Sequence, residues 1–185
     1  MILLYQGRSF ISWRIKMATL SPYSHAAWLK TSAEDRRGLR DMAHHHREHW
    51  ADLAEDIIQL GCIEAWHKGG VRETDSLRAG HKKGTVVDVF DTVGVEDWKY
   101  PLIEQRLRTR TGDSYWFSGI LWARLNRYRK QKEAPAGEWF CSHLIEESLR
   151  FYDCATTDPR VPAFGVWPGS FERSVMTSYL GSVTL

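Results

Sequence analysis

A single α+β domain over residues 1–185 is what the sequence predicts, on three observations. Short apolar or β-branched segments bounded by turn residues fill the first half. Helical spacing of apolar residues takes over in the second, and neither an internal repeat nor a low-complexity linker divides the two. The 185 residues, 43% hydrophobic and 26% charged, suffice to bury one core and exclude a disordered chain.

The elements follow in order. Residues 1–5 are an apolar run stopping at Gly7, a buried strand. Residues 10–20 place Ile11, Ile15 and Ala18 at helical spacing behind Ser9 as N-cap, and Ser21-Pro22 breaks that helix. A strand then begins near His25. The polar stretch 31–60 reads as a helical insertion starting from a Ser32 cap, with Trp50, Leu53, Ala54, Ile57 and Ile58 on one face, and Gly61 ends it. Residues 62–66 and 71–74 read as strands joined by a turn at 67–70, and 85–90 as a further strand. Helices are expected over 96–110, with Pro101 near the first turn, and over 115–129, with Ile120, Leu121, Leu125 and Tyr128 buried. After a polar loop at 130–138, a short amphipathic helix opens around Cys141. The tail, 158–185, is expected to be irregular apart from a short helix near 169–178.

Charge and cysteine usage bound the partners. A formal net charge of +2 does not call for nucleic acid, and Arg124, Arg127, Arg129 and Lys130 read as a solvated helix face. Cys62, Cys141 and Cys154 are an odd count without repeated spacing, which argues against a disulfide scaffold. No pair sits at zinc-ligand spacing, so neither metal nor cofactor is expected. Arg8, Arg14 and Lys16 interrupt the first twenty residues, unlike a signal peptide. No apolar run approaches the ~18 residues of a membrane span. The expectation is a chain cytoplasmic when synthesised; action outside the cell would need another route, such as virion association or delivery to the cell wall.

Cys141 is the strongest chemical candidate. It follows Trp139-Phe140 at the start of a predicted helix, where unpaired amides and the helix dipole favour a thiolate and can hold an oxyanion. As a small buried hydrophobe it would need no such role, which is how Cys62 and Cys154 read. A thiol nucleophile needs an imidazole to move its proton. His25 is set apart by its place at a strand start. Its rivals, His44, His45, His46 and His49, include an i, i+4 pair, but without the Glu of a helix metallopeptidase they read as a solvated face. His143 lies two residues past Cys141, about 200° around the helix, and is a poor base for it.

The order of these pieces resembles the circularly permuted branch of the NlpC-type papain-like cysteine hydrolases, the YiiX/YaeF-like group, and more distantly lecithin:retinol acyltransferase. The resemblance is carried by Leu3-Leu4-Tyr5-Gln6-Gly7-Arg8-Ser9, Ser21-Pro22-Tyr23-Ser24-His25-Ala26-Ala27, Ile63-Glu64-Ala65 with Gly69-Gly70-Val71, Gly112-Asp113-Ser114-Tyr115, and Phe140-Cys141-Ser142-His143-Leu144. It implies a papain-like fold with a small antiparallel sheet packed against helices, the His strand preceding the Cys helix. It makes Cys141 the nucleophile, His25 the base and Glu64 the third polar group, with His67 the alternative third. Tyr115 would aid the oxyanion site, and Tyr23 would wall the site or support the oxyanion. Two departures stand out: the long 31–60 segment, readable as a lid or a protein-partner surface, and His143, where relatives commonly carry Glu.

The resemblance therefore implies a cysteine peptidase or amidase, with a peptide or amide substrate such as a peptidoglycan stem peptide, cleaved by attack of the Cys141 thiolate and proton transfer through His25. Two other readings remain open. One is acyl transfer or lipid ester hydrolysis of the lecithin:retinol acyltransferase type, which needs an apolar site entrance or membrane-facing helix. The other is a non-catalytic virion or assembly module that keeps the fold.

Overall fold

The computed structural model describes residues 1–116, 118–119 and 135–185. Six antiparallel strands form the sheet: β1 (Ile2–Gln6), β2 (His25–Leu29), β3 (Cys62–Trp66), β4 (Gly70–Thr74), β5 (Val86–Thr92) and, last in the chain, β8 (Thr177–Thr184). Their spatial order is β4-β3-β2-β1-β5-β8. The apolar run at the N-terminus is central, and Ile2, Leu3, Leu4 and Tyr5 are fully buried, as a strand covered on both faces requires.

The helices start where the sequence supplies caps. α1 (Phe10–Thr19) begins behind Ser9, whose hydroxyl accepts from the Ser12 amide at 3.0 Å. α2 (Ala33–His45) opens on a reciprocal capping box between Ser32 and Asp35. A 3₁₀ turn (Arg47–Leu53) and α3 (Ala54–Gln59) complete the 31–60 segment. That segment packs against β8: the Trp50 indole N–H donates to the Ser182 carbonyl at 3.1 Å. The ring fits because residue 181 is glycine, whose Cβ would lie 2.2 Å from Trp50 Cε2. No residue of 31–60 lines the cleft around His25, so this segment caps the sheet edge rather than the site. α4 is Lys99–Arg108, with Pro101 in its first turn where no helical N–H is lost. α5 is Cys141–Phe151 and α6 is Pro168–Glu172.

Two expectations are corrected. Tyr115 does not open a helix: Ser114–Tyr115 is a short strand, β6, pairing in parallel with β7 (Glu138–Trp139). Beyond residue 119 the expected helix, including Ile120, Leu121, Leu125 and Tyr128, and the basic group from Arg124 to Lys130 lie outside the described residues. The tail is not irregular beyond α6, because Thr177–Thr184 forms the edge strand against β5.

Candidate active site

The site is assembled by strand alternation. Successive side chains point to opposite faces, so Tyr5 and His25, paired in register, share one face. On the neighbouring hairpin Glu64 pairs directly with Arg72. The result is a buried chain of charges. His25 Nε2–H donates to Glu64 Oε2 at 2.5 Å, and Arg72 donates to Glu64 Oε1 from Nε at 2.9 Å and Nη2 at 2.6 Å. Arg72 Nη2 also bonds the Ala79 carbonyl at 2.7 Å, and His81 Nε2 lies 3.5 Å from Glu64 Oε2. The Glu64 side chain is wholly shielded from water.

Aromatic rings hold this chain in place. Tyr5 stacks on His81 at 4.2 Å and meets His25 edge-on at 5.3 Å. Trp66 presents an edge to His25 at 5.6 Å and takes the Arg72 guanidinium over its face at 4.4 Å.

Cys141 reaches the site from the other side as the first residue of α5, which packs on β2 and β3. Phe140 before it is extended (φ −112°, ψ 163°) and gives no side-chain cap, so the first-turn amides face the thiol without one. His25 Nε2 is bonded to Glu64, and the Cys141 sulfur is near enough to act on the ring's charge. Burial works against the charged ring. The Cys141 sulfur and Glu64 carboxylate outweigh it, and the His25 pKa is pushed up to about 10. Glu64 is held well below the usual carboxylate range: its burial is overridden by His25 first and His81 next. His81 itself is lowered, by burial foremost.

Tyr115 is fixed near Cys141 by backbone pairing: Trp116 N donates to Trp139 O at 2.8 Å, two residues before Cys141. The same loop is tied to the Glu64 hairpin by Val71 N donating to Asp113 O at 2.9 Å. Gly70, at φ +80°, permits that approach, since a Cβ there would lie 1.9 Å from the Asp113 carbonyl. Burial, then the nearby Cys141 and Glu64, raise the Tyr115 pKa and keep it a neutral phenol. Tyr115, His67, His81, Trp66 and His25 border a cleft of about 60 Å³ together with Ser9, Ile11, Ser12 and Ile15 of α1.

No family model and no curated protein matches this chain.

The remaining expectations fall as follows. Cys141, His25, Glu64 and Tyr115 come together. His67 stands on the cleft rim, packed on Trp66 at 4.6 Å, while Glu64 holds the imidazole. Tyr23 is not at the site: its hydroxyl donates to Asp88 at 2.7 Å. Asp88 pairs with Leu4, one residue from Tyr5, and so sits on the opposite sheet face from His25. His45 ends α2, and His49 falls in the following 3₁₀ turn, so the shared helix face is lost and both are exposed. Among the described residues, the set of metal-ligand type is His25, Glu64 and His81. Its carboxylate is taken by an imidazole on one oxygen and a guanidinium on the other, an arrangement suited to a proton relay more than to a cation.

Sequence reasoning missed Arg72 and His81. Arg72 had a signal: opposite charges facing each other across the predicted hairpin. His81 had none, for its position depends on stacking against the distant Tyr5.

His143 is enclosed by Trp139, Phe140, Trp116 and Phe164, with Nδ1 unpartnered among the described residues. Burial lowers its pKa to about 4, so it is neutral. A neutral, unpaired ring nitrogen in apolar surroundings is a cost. His143→Phe is therefore expected to stabilise the fold by about 1 kcal/mol, read by thermal melting, while Cys141 alkylation stays at the wild-type rate.

Proposed function

We propose that this protein is a cysteine hydrolase of papain-like design, with Cys141 as nucleophile, His25 as general base and acid, and Glu64 as the group that orients and charges the imidazole. The observation that carries the reading is the buried His25–Glu64 pair, with the Cys141 thiol at a helix N-terminus near enough to favour the charged form of the same imidazole. Nothing about packing alone requires that sequence; three apolar side chains would fill the same space at less desolvation cost.

In the proposed reaction the Cys141 thiolate attacks the carbonyl carbon of an amide. The carbonyl oxygen takes up negative charge against the first-turn amides of α5, with the neutral Tyr115 phenol as a further donor. His25 passes its proton to the leaving amine, and water deprotonated by the same ring then releases the acyl group. The carboxylate of Glu64 stabilises the imidazolium before the first transfer and after the second, and orients the neutral ring between them. A peptide amide, including the stem peptide of a bacterial cell wall, is the substrate class that the sequence resemblance supports.

Acyl-enzyme trapping tests this. Incubation with an activated acyl ester should add one acyl mass to Cys141, located by peptide mass mapping, and the adduct should turn over slowly. An adduct that persists in Cys141→Ser, or none on Cys141 in the wild type, would sink the reading.

A further inference from the structure

We propose that α1 docks the protein on an anionic lipid surface, lying between that surface and the cleft beside His25. The helix carries apolar side chains on both faces, and one of these stripes faces water. Phe10 is 71% exposed, Trp13 56%, Met17 57% and Leu20, just past the helix end, 71%. At ~100° per residue these four positions fall within an arc of about 80°. Arg14 and Lys16 then lie roughly 40° beyond either edge of the stripe. An apolar ridge of aromatic and long aliphatic side chains between two rows of cations is the pattern of a helix lying in a lipid headgroup layer.

Charge complementarity selects lipid as the occupant. Residues 1–33 contain no Asp or Glu; Arg8, Arg14 and Lys16 supply charge at or near α1, while Lys30 pairs with Glu73 and Asp75. At the far end of α1, Arg173 donates to the Leu20 carbonyl at 3.3 Å and adds a cation beside the stripe, offsetting Glu172 of α6. An exposed Trp and Phe suit the interfacial zone, where an aromatic body can enter the acyl boundary. Burying four such side chains against a partner protein would leave the flanking cations in search of carboxylates, whereas an anionic headgroup layer meets both needs at once.

The opposite face of the same helix supplies Ile11, Ser12 and Ile15 to the cleft. The docking stripe and the cleft therefore lie on opposite faces of α1, and docking leaves the helix between the lipid surface and the cleft. No helix among the described residues is long and apolar enough to span a membrane, so the attachment is peripheral.

The test is flotation of the full chain with phosphatidylcholine vesicles, with and without phosphatidylglycerol. Wild type should float with the phosphatidylglycerol vesicles and be released by salt. Trp13→Ser with Met17→Ser should cut partitioning at least about tenfold. Arg14→Gln with Lys16→Gln should remove the preference for the anionic lipid. All four side chains point into solvent or flank it, and circular dichroism checks that each variant is folded. Cys141→Ser should float like wild type, which separates this proposal from the catalytic one. The proposal is overturned if wild type ignores both vesicles, if Trp13→Ser/Met17→Ser floats equally well, or if sedimentation velocity shows the stripe pairing two copies of the chain.

Discussion

His25→Ala should slow iodoacetamide alkylation of Cys141 by a factor of roughly ten or more at pH 6.5, the pH at which an ordinary thiol of pKa ~8.5 is only about 1% ionised. The three cysteines make the comparison internal. Cys141 is 2% exposed, Cys62 1% and Cys154 8%, so accessibility alone favours Cys154. Burial, with the Glu64 charge behind it, pushes the Cys62 thiol up to about 12, and burial raises Cys154 as well. If the imidazole governs, Cys141 is labelled first in spite of its burial. The pH profile adds a second readout. The His25 proton is held to about pH 10, so the wild-type rate at Cys141 should stay nearly flat from pH 6.5 to 9. In His25→Ala it should climb with pH as a simple thiol does. Fastest labelling at Cys154, or a wild-type rate that climbs like the variant's, would remove the thiolate–imidazolium pair from consideration.

What could be read from the chain differs by the range of the interaction that decides it. The His25 strand and the Cys141 helix were legible because local signals bound them: the Ser21-Pro22 break before one, and an apolar pair leading into an amphipathic run for the other. The Ser9 and Ser32 caps were legible for the same reason. β8 was not. Its run Thr177-Ser178-Tyr179-Leu180-Gly181-Ser182-Val183-Thr184 carries a glycine and two serines, and it is a strand because β5 pairs with it across some ninety residues and Trp50 seats on Gly181. Tyr23 was misplaced because its nearness to His25 in sequence does not fix its direction; the Asp88 carboxylate draws the phenol to the other face. His81 shows the same limit, since a loop residue acquires its role only when Tyr5 and Glu64 are already beneath it. Local patterns thus placed the Cys141 helix start and the His25 strand, while long-range packing decided which polar groups surround them.

Glu64→Gln carries the largest expected loss of stability. Glu64 is the buried junction of three cationic or potentially cationic side chains, His25, Arg72 and His81. Removing its charge leaves an imidazolium and a guanidinium without their counter-ion, a change that typically costs ~3–5 kcal/mol. For a chain of this size that is a fall in Tm of roughly 6–20 °C. The pH dependence gives the sign. Glu64 has its pKa depressed by folding, so its contribution is present above about 4.5 and is lost as the pH falls below that value. His25 has its pKa raised, so its contribution is complete below about 6.5 and is lost as the pH rises toward 10. Wild-type stability, measured by urea denaturation across pH 3–10, should therefore be greatest between these two values and decline on both sides. In Glu64→Gln the acid slope should flatten because the carboxylate is gone, and the alkaline slope should shrink, because the Cys141 sulfur alone then raises the imidazole. A neutral amide that kept the wild-type slopes would mean that the pH dependence arises elsewhere in the chain. A variant as stable as wild type would mean that Arg72 and His25 find water once the carboxylate is gone, and the buried relay would then lose its physical basis.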